Sequence, residues 1–269
     1  MNNELSVDRK KYLLSKKREK LLILACQILS LFLLIVAWEI LANIGIIDSF
    51  ITSQPSRIFE TLLNAPNNDL LYHLWVTCYE TIIGFLLGTT IGTIIACVLW
   101  WSDFVCKVAD PYLVILNSLP KVALGPVIIV WVGAGAPAII TMALAISLVV
   151  TVLEMLNGFK NTDPNIIKMA KTFNASKWQI FFKIVLPSNI STLINALKVN
   201  IGLSLVGVIS GEFLVSKAGL GYLIVYGGQV FKLDLVMTSV LVLGIVAALM
   251  YQAVQLLEKL ILRFIMHKN

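Results

Sequence analysis

The sequence predicts an all-α polytopic membrane protein of six transmembrane helices, with both ends in the cytoplasm. Three observations carry this. Of 269 residues, 58% are hydrophobic and 13% charged, where a soluble domain carries roughly a quarter charged residues. Six apolar runs each reach the roughly 20 residues that a bilayer-spanning helix needs. Basic residues are unevenly shared: 16 of the 21 lysines and arginines fall in segments on one side of the six runs and 3 on the other, and the richer side is the cytoplasmic one. The net charge of +6 therefore reports topology. It lies in short clusters and forms no basic face, which argues against nucleic acid as a partner. The apolar content excludes intrinsic disorder.

The first span follows a basic segment, residues 1–20, that holds Arg9, Lys10, Lys11, Lys16, Lys17, Arg18 and Lys20. Its apolar run, Leu21 to about Ile47, is too long for a signal-peptide core and no small-residue cleavage site closes it, so it is an uncleaved span. The other runs cover about Leu74–Trp101, Val105–Val132, Ala138–Leu156, Ile190–Val215 and Leu233–Leu257. Residues 21–258 thus make the membrane domain, with a cytoplasmic loop at 157–189, and 259–269 a cytoplasmic tail. Between spans one and two, Pro55 and the following Arg57–Leu63 read as a short interfacial helix. Ser216–Lys232 is apolar but broken by glycines, which suits a re-entrant or outer-face element packed on protein, since lipid cannot satisfy irregular backbone.

Within the spans several patterns stand out. Gly84, Gly88 and Gly92 recur every four residues, a stripe that lets helices approach closely. Pro111, Pro120 and Pro126 kink or break the third span. In the fifth, Ala196, Asn200, Ser204, Gly207 and Gly211 share one side, with Glu212 at its outer end. That side is either a packing face or, on the functional reading, the lining of a translocation path formed by Asn200, Ser204, Gly207, Gly211 and Glu212. Cys26, Cys78, Cys97 and Cys106 are expected as inert core residues. His73 and His267 have no interior location and no ligand partners nearby, so neither metal nor cofactor is expected.

The cytoplasmic loop is the most informative segment. Asp163 and Pro164 form an N-cap and first-turn proline that open a helix to Phe173. Its expected apolar face is Ile166, Ala170 and Phe173, flanked by Ile167 and Met169, while Asn165, Lys168, Lys171 and Thr172 turn away. Asn174 occupies a left-handed terminating position. Ser176 and Gln179 form a capping box for a second helix through Trp178 and Phe181, stopped by Pro187. Such basic amphipathic helices either lie on anionic lipid or dock on a cytoplasmic partner.

The run from Asp163 to Pro187 resembles the signature loop of ABC importer permeases: Glu-Ala-Ala, three residues, Gly, nine residues, Ile-x-Leu-Pro. Ile184-Val185-Leu186-Pro187 matches its end, Asn174 stands at the glycine, Ala170 at the second alanine, and Lys168 and Met169 at the Glu and first alanine. Asn174-Ala175-Ser176, with Gln179 and Phe181, is similar to the nitrate, sulfonate and taurine branch. So are Gly211-Glu212-Phe213-Leu214 and Gly219-Leu220-Gly221-Tyr222. The resemblance spans roughly residues 55–258. It implies a type I importer (MetI-like) permease fold in the plasma or inner membrane. The implied partners are a second permease subunit, usually an identical copy, a cytoplasmic ABC ATPase dimer and an extracytoplasmic substrate-binding protein. The coupling residues it implies are Asp163, Pro164, Ile166, Ile167, Lys168, Met169, Ala170, Lys171, Phe173, Asn174, Ala175 and Ser176. Lys168 removes the motif's carboxylate, whereas Asn174 can still end the helix. No G-x-x-x-x-G-K-[ST] phosphate loop occurs, so ATP hydrolysis belongs to another chain. An oxyanion, a sulfonate or a vitamin precursor such as a pyrimidine would each suit this branch.

Two rivals remain at this stage. An intramembrane protease needs a nucleophile turn and an interior histidine, and neither is visible. A stand-alone secondary transporter or channel is suggested by Glu39, Glu80, Glu154 and Glu212 in or at the ends of spans, where a carboxylate costs about 2.5–3.5 kcal/mol near mid-membrane. A stoichiometric ATPase in a pull-down would separate the two transport mechanisms.

Overall fold

A computed structural model describes residues 7–64 and 69–266. The remaining residues, among them His267 and the extremes of both expected tails, lie outside the described residues. The chain divides into two compact units between Leu63 and Asn64.

In the first unit, α1 (Val7–Asn43) contains an apolar stretch, Tyr12–Asn43, long enough to cross a membrane. The helix therefore begins inside the basic segment. α2 (Ser49–Thr52) is capped by Asp48, whose carboxylate accepts from the Phe50 amide at 2.9 Å. α3 (Pro55–Leu63) is the short helix expected there. Glu39 accepts from the Ser56 amide at 3.1 Å and from Asn43 Nδ2 at 3.3 Å. Its carboxylate thus meets the electropositive start of α3, which accounts for an acid at the end of an apolar helix.

The second unit is built on α4 (Leu70–Trp101), α7 (Ala136–Lys160) and α11 (Ile190–Val215). A methyl group added at Gly84 would come within 2.6 Å of Ala143 Cβ, and one at Gly92 within 2.7 Å of Thr151 Cβ; at Gly88 it would collide with Ser147 Oγ. On the other helix, a methyl at Gly207 would lie 2.5 Å from Ala143 Cα and one at Gly211 3.0 Å from Ile139 Cα. Small residues on α4 and α11 thus bring both backbones onto α7, the device by which membrane helices gain contact without a hydrophobic driving force.

Between α4 and α7 the third span is broken as its prolines predict. α5 (Asp103–Ser118) and the segment Lys121–Val132, which ends in α6 (Gly125–Val132), meet at 88°. Leu119 is extended, with ψ 137°, because a residue before proline is pushed out of the helical region. The Ser216–Lys232 segment contains a helix, α12 (Leu220–Gln229), entered through Gly219 at φ 108°. α13 (Leu233–Met266) closes the unit. Lys198 on α11 pairs with Glu258 on α13 at 2.6 Å, so the lysine inside the fifth span is neutralised there. Cys106 is buried and Cys78 and Cys97 are half-buried. Cys26 is exposed on α1, which corrects the expectation of four core cysteines.

Candidate functional site

The loop joining α7 to α11 has its ends defined by local bonds. Asp163 accepts from the Asn165 amide at 2.8 Å, and Pro164 opens α8 (Pro164–Thr172). At the other end Asn174 adopts φ 58°. Its amide bonds to the Lys171 carbonyl at 2.9 Å, and the Ala175 amide bonds to the Ala170 carbonyl at 3.1 Å. This pair of bonds is a Schellman stop with asparagine in the glycine position. Ser176 and Gln179 then exchange bonds of 2.8 and 3.3 Å, the complete capping box, and start α9 (Lys177–Ile180).

Beyond α9 the structure departs from expectation. The helix continues through a π turn, Phe181–Val185, into α10 (Leu186–Ser188), so Pro187 does not stop it. Proline breaks a helix by clashing with the preceding turn; here that turn is widened, with the Leu186 amide reaching back five residues to the Phe181 carbonyl. Ser188 Oγ bonds to the Ile184 carbonyl at 2.6 Å and Asn189 Nδ2 to the Val185 carbonyl at 2.8 Å.

The faces of α8 also differ from the helical-wheel reading. Ala170 is 8% exposed and, with Ile167 and Ala175, packs into a cluster that includes Phe159 and Phe181. It therefore belongs to the inward face. Ile166, Met169 and Phe173, spaced by three and four residues, point outward at 42%, 56% and 79% exposure. Met169 replaces Ala170 in the outward stripe, because two residues one apart on a helix diverge by about 100° and only packing selects between them. Lys168 and Lys171 are exposed beside it.

The small-residue side of α11, which the sequence leaves open as a packing face or a path lining, is closed within this chain. Asn200, Ser204, Gly207, Gly211 and Glu212 are all buried. Asn200 donates to Thr151 on α7 and, at 3.4 Å, to Thr89 on α4, and the two glycines carry the contact with α7. A small-residue stripe is the part of a helix that neighbouring backbones can approach. Glu212 Oε1 accepts from Thr77 Oγ1 at 2.7 Å and Oε2 from the Gly221 amide at 2.6 Å. The Leu220 amide donates to Thr77 Oγ1 at 2.8 Å, and the Gly219 amide to His73 Nδ1 at 2.9 Å. Three side chains thus satisfy the free amides at the start of α12.

His73 is interior, against expectation, and stacks on Tyr222 with ring centroids 5.6 Å apart. His73 and Thr77 lie four residues apart on α4, a same-face spacing that marks the pair in the sequence. Among the described residues no three of His, Cys, Asp and Glu come together to hold a metal.

The family model for "binding-protein-dependent transport system inner membrane component" matches residues 88–267, two thirds of the chain and all of the loop. The chain belongs to this family. It is 29% identical over 219 residues, 81% of this chain and 89% of the other, to a protein of Haemophilus influenzae described as a probable ABC transporter permease protein. It is 24% identical to the formylaminopyrimidine transport permease protein of Halalkalibacterium halodurans, across 86% of this chain and 92% of that one. A chain of the inward-facing MetNI methionine ABC transporter superposes with TM-score 0.63 at 20% identity, covering 70% of this chain and 94% of that one, which shows the MetI-like fold. The protein is thus a permease subunit of an ABC importer, multi-pass in the cell membrane. Family membership also sets aside the stand-alone transporter or channel. The family's members are permeases and not enzymes.

Proposed function

We propose that this permease forms a translocation path together with a second, identical copy and takes its solute from an extracytoplasmic binding protein. A separate cytoplasmic ATPase dimer drives it, through α8. Both termini and the α8 loop face the cytoplasm. The observation that carries the reading is the double face of α8. Its inner side packs on the bundle through Ala170 and the half-buried Ile167, while Ile166, Met169 and Phe173 stand out with nothing over them among the described residues. Asp163, Pro164, Asn174, Ala175 and Ser176 fix the length and direction of that helix, and Lys168 and Lys171 flank its apolar stripe. Asn200, Ser204, Gly207, Gly211 and Glu212 hold the bundle closed beside the path. The solute is of the sulfonate, oxyanion or pyrimidine class, in keeping with the formylaminopyrimidine and taurine permeases among its relatives.

Covering Phe173 in a groove of the ATPase would contribute about 1.5–3 kcal/mol, so Phe173→Asp, which would bury an uncompensated charge, should release the ATPase or uncouple it. Membrane insertion should be unchanged. The test is co-purification of the ATPase with wild-type and Phe173→Asp permease in detergent. Equal recovery refutes the docking role.

A further inference from the structure

Directly after α8 the chain is tied to the end of α4 by a single lysine and a group of aromatic rings. Lys177 Nζ donates to the Trp101 carbonyl at 2.5 Å, one of the last four carbonyls of α4, which have no partner within the helix. A cation there also meets the negative end of the helix dipole. The same ammonium lies 5.7 Å from the ring of Trp100 and 5.9 Å from that of Trp101, within range of a cation–π attraction. Beside it Trp178 packs on Trp101 at 4.4 Å. Phe181 meets Trp100 at 4.9 Å and Phe159 of α7 at 5.5 Å.

The backbone that presents Lys177 is held by the Ser176–Gln179 capping box, and the inner face of α8 rests on the same aromatic cluster. Ala175, which completes the stop of α8, packs there too. α9 and the π turn are thus joined to the last turn of α4 by a charge-assisted hydrogen bond and tilted ring contacts, and α8, with only Phe173 to Ser176 between it and α9, shares the same core through Ile167 and Ala170. α4 itself contains no proline in its 32 residues, and proline is a chief cause of sharp kinks. Its far end, through His73 and Thr77, holds the start of α12.

Resting on the docking reading above, we propose that Lys177 is a positioning residue of coupling: it locks the docking helix to the C-terminal end of α4, so that α8 and α4 move as one body and α4 carries the displacement to the start of α12. Trp178 shares this role through its contact with Trp101. Neither side chain belongs to the outward stripe that meets the ATPase.

The experiment places spin labels at Thr172 on α8 and Ile82 on α4, both exposed, in a cysteine-free permease purified with its ATPase in lipid nanodiscs. The distance distribution is read by pulsed electron resonance with and without ATP and orthovanadate. With labelled chains diluted so that each pairs with an unlabelled copy, wild type should give one narrow distance that nucleotide does not change. In Lys177→Ala a displaced population should rise about fivefold, from loss of the helix-end and ring attractions, with ATPase recovery as in wild type. Lys177→Arg, which keeps charge and ring contact, should restore the narrow distance. Trp178→Leu gives a second reading should Lys177→Ala fold poorly, with the same displaced population expected. An unchanged distribution in both variants overturns the proposal, as does loss of the ATPase in Lys177→Ala, which would make the lysine a docking residue. Full ATPase recovery with Phe173→Asp alone would instead overturn the docking reading and leave the α8–α4 lock standing.

Discussion

Glu212 is the residue on which most of the polar bonding around α12 converges. A carboxylate 1% exposed in a membrane bundle is costly unless its oxygens are occupied. Here Thr77 and the Gly221 amide occupy both. The crowding is close enough that a methyl on Gly221 would come within 2.7 Å of the carboxylate, and one on Gly219 would collide with it. Removing the acid would leave the buried Gly221 amide without its acceptor, at about 1–3 kcal/mol, and the Thr77 hydroxyl with only the His73 carbonyl at 3.2 Å. Glu212→Ala should therefore lower the midpoint of thermal unfolding in detergent and expose α12 to protease, whereas Thr77→Val, which loses one donor and one acceptor of the same group, should do so less. The two changes remove one network, so the double variant should be less destabilised than the sum. A midpoint unchanged in Glu212→Ala would contradict the assignment. His73 completes the group, and its role could not be read from the chain because its partner, Gly219, is 146 residues away.

At the scale of elements, α11 offers an internal comparison. A methyl at Gly207 would meet the backbone of Ala143 at 2.5 Å, whereas one at Gly202 has nothing within 4 Å. Gly207→Ala must push α7 and α11 apart, an overpacking cost of about 1–3 kcal/mol. Gly202→Ala loses only backbone freedom in the unfolded chain, and a helix gains about 0.5–1 kcal/mol from that exchange. Thermal unfolding of the two variants should move in opposite directions, and equal shifts would show that the glycine stripe is not a contact. These elements also mark what the chain alone reveals. The Asp163–Pro164 start, the Asn174 stop and the Ser176–Gln179 box were legible because each is closed by bonds within five residues. The break at Pro120 was legible because proline acts on the residue just before it, whereas Pro111 lies inside α5 and Pro126 in the first turn of α6. The inward turn of Ala170 and the π turn before Pro187 were not legible, and the stripe on α11 left its packing and its path reading both open. Each depends on which distant helix arrives at that face, and in a bundle whose helices are apolar on every side the wheel pattern carries little of that information.

At the scale of the whole molecule, the remaining expectation is the direction in which the bundle crosses the membrane. The α7–α11 loop and the α11–α12 junction lie at opposite ends of α11 (Ile190–Val215), a helix of about 39 Å at 1.5 Å per residue, longer than the roughly 30 Å hydrocarbon core. One end must therefore face the cytoplasm and the other the outside. The loop end carries Lys160, Lys168, Lys171, Lys177 and Lys183, while the α12 segment carries Lys217 and Lys232, and short basic loops are retained in the cytoplasm. Ser176 and Lys217 are both accessible within the chain, the first exposed at the start of α9 and the second ahead of α12. Single cysteines at these positions, in a cysteine-free background, should therefore differ in intact cells. A membrane-impermeant maleimide should modify position 217 and leave 176 untouched until the membrane is permeabilised. Modification of 176 from outside would reverse the topology, and with it the docking of α8 on a cytoplasmic ATPase, while leaving the packing of α4, α7 and α11 as it is.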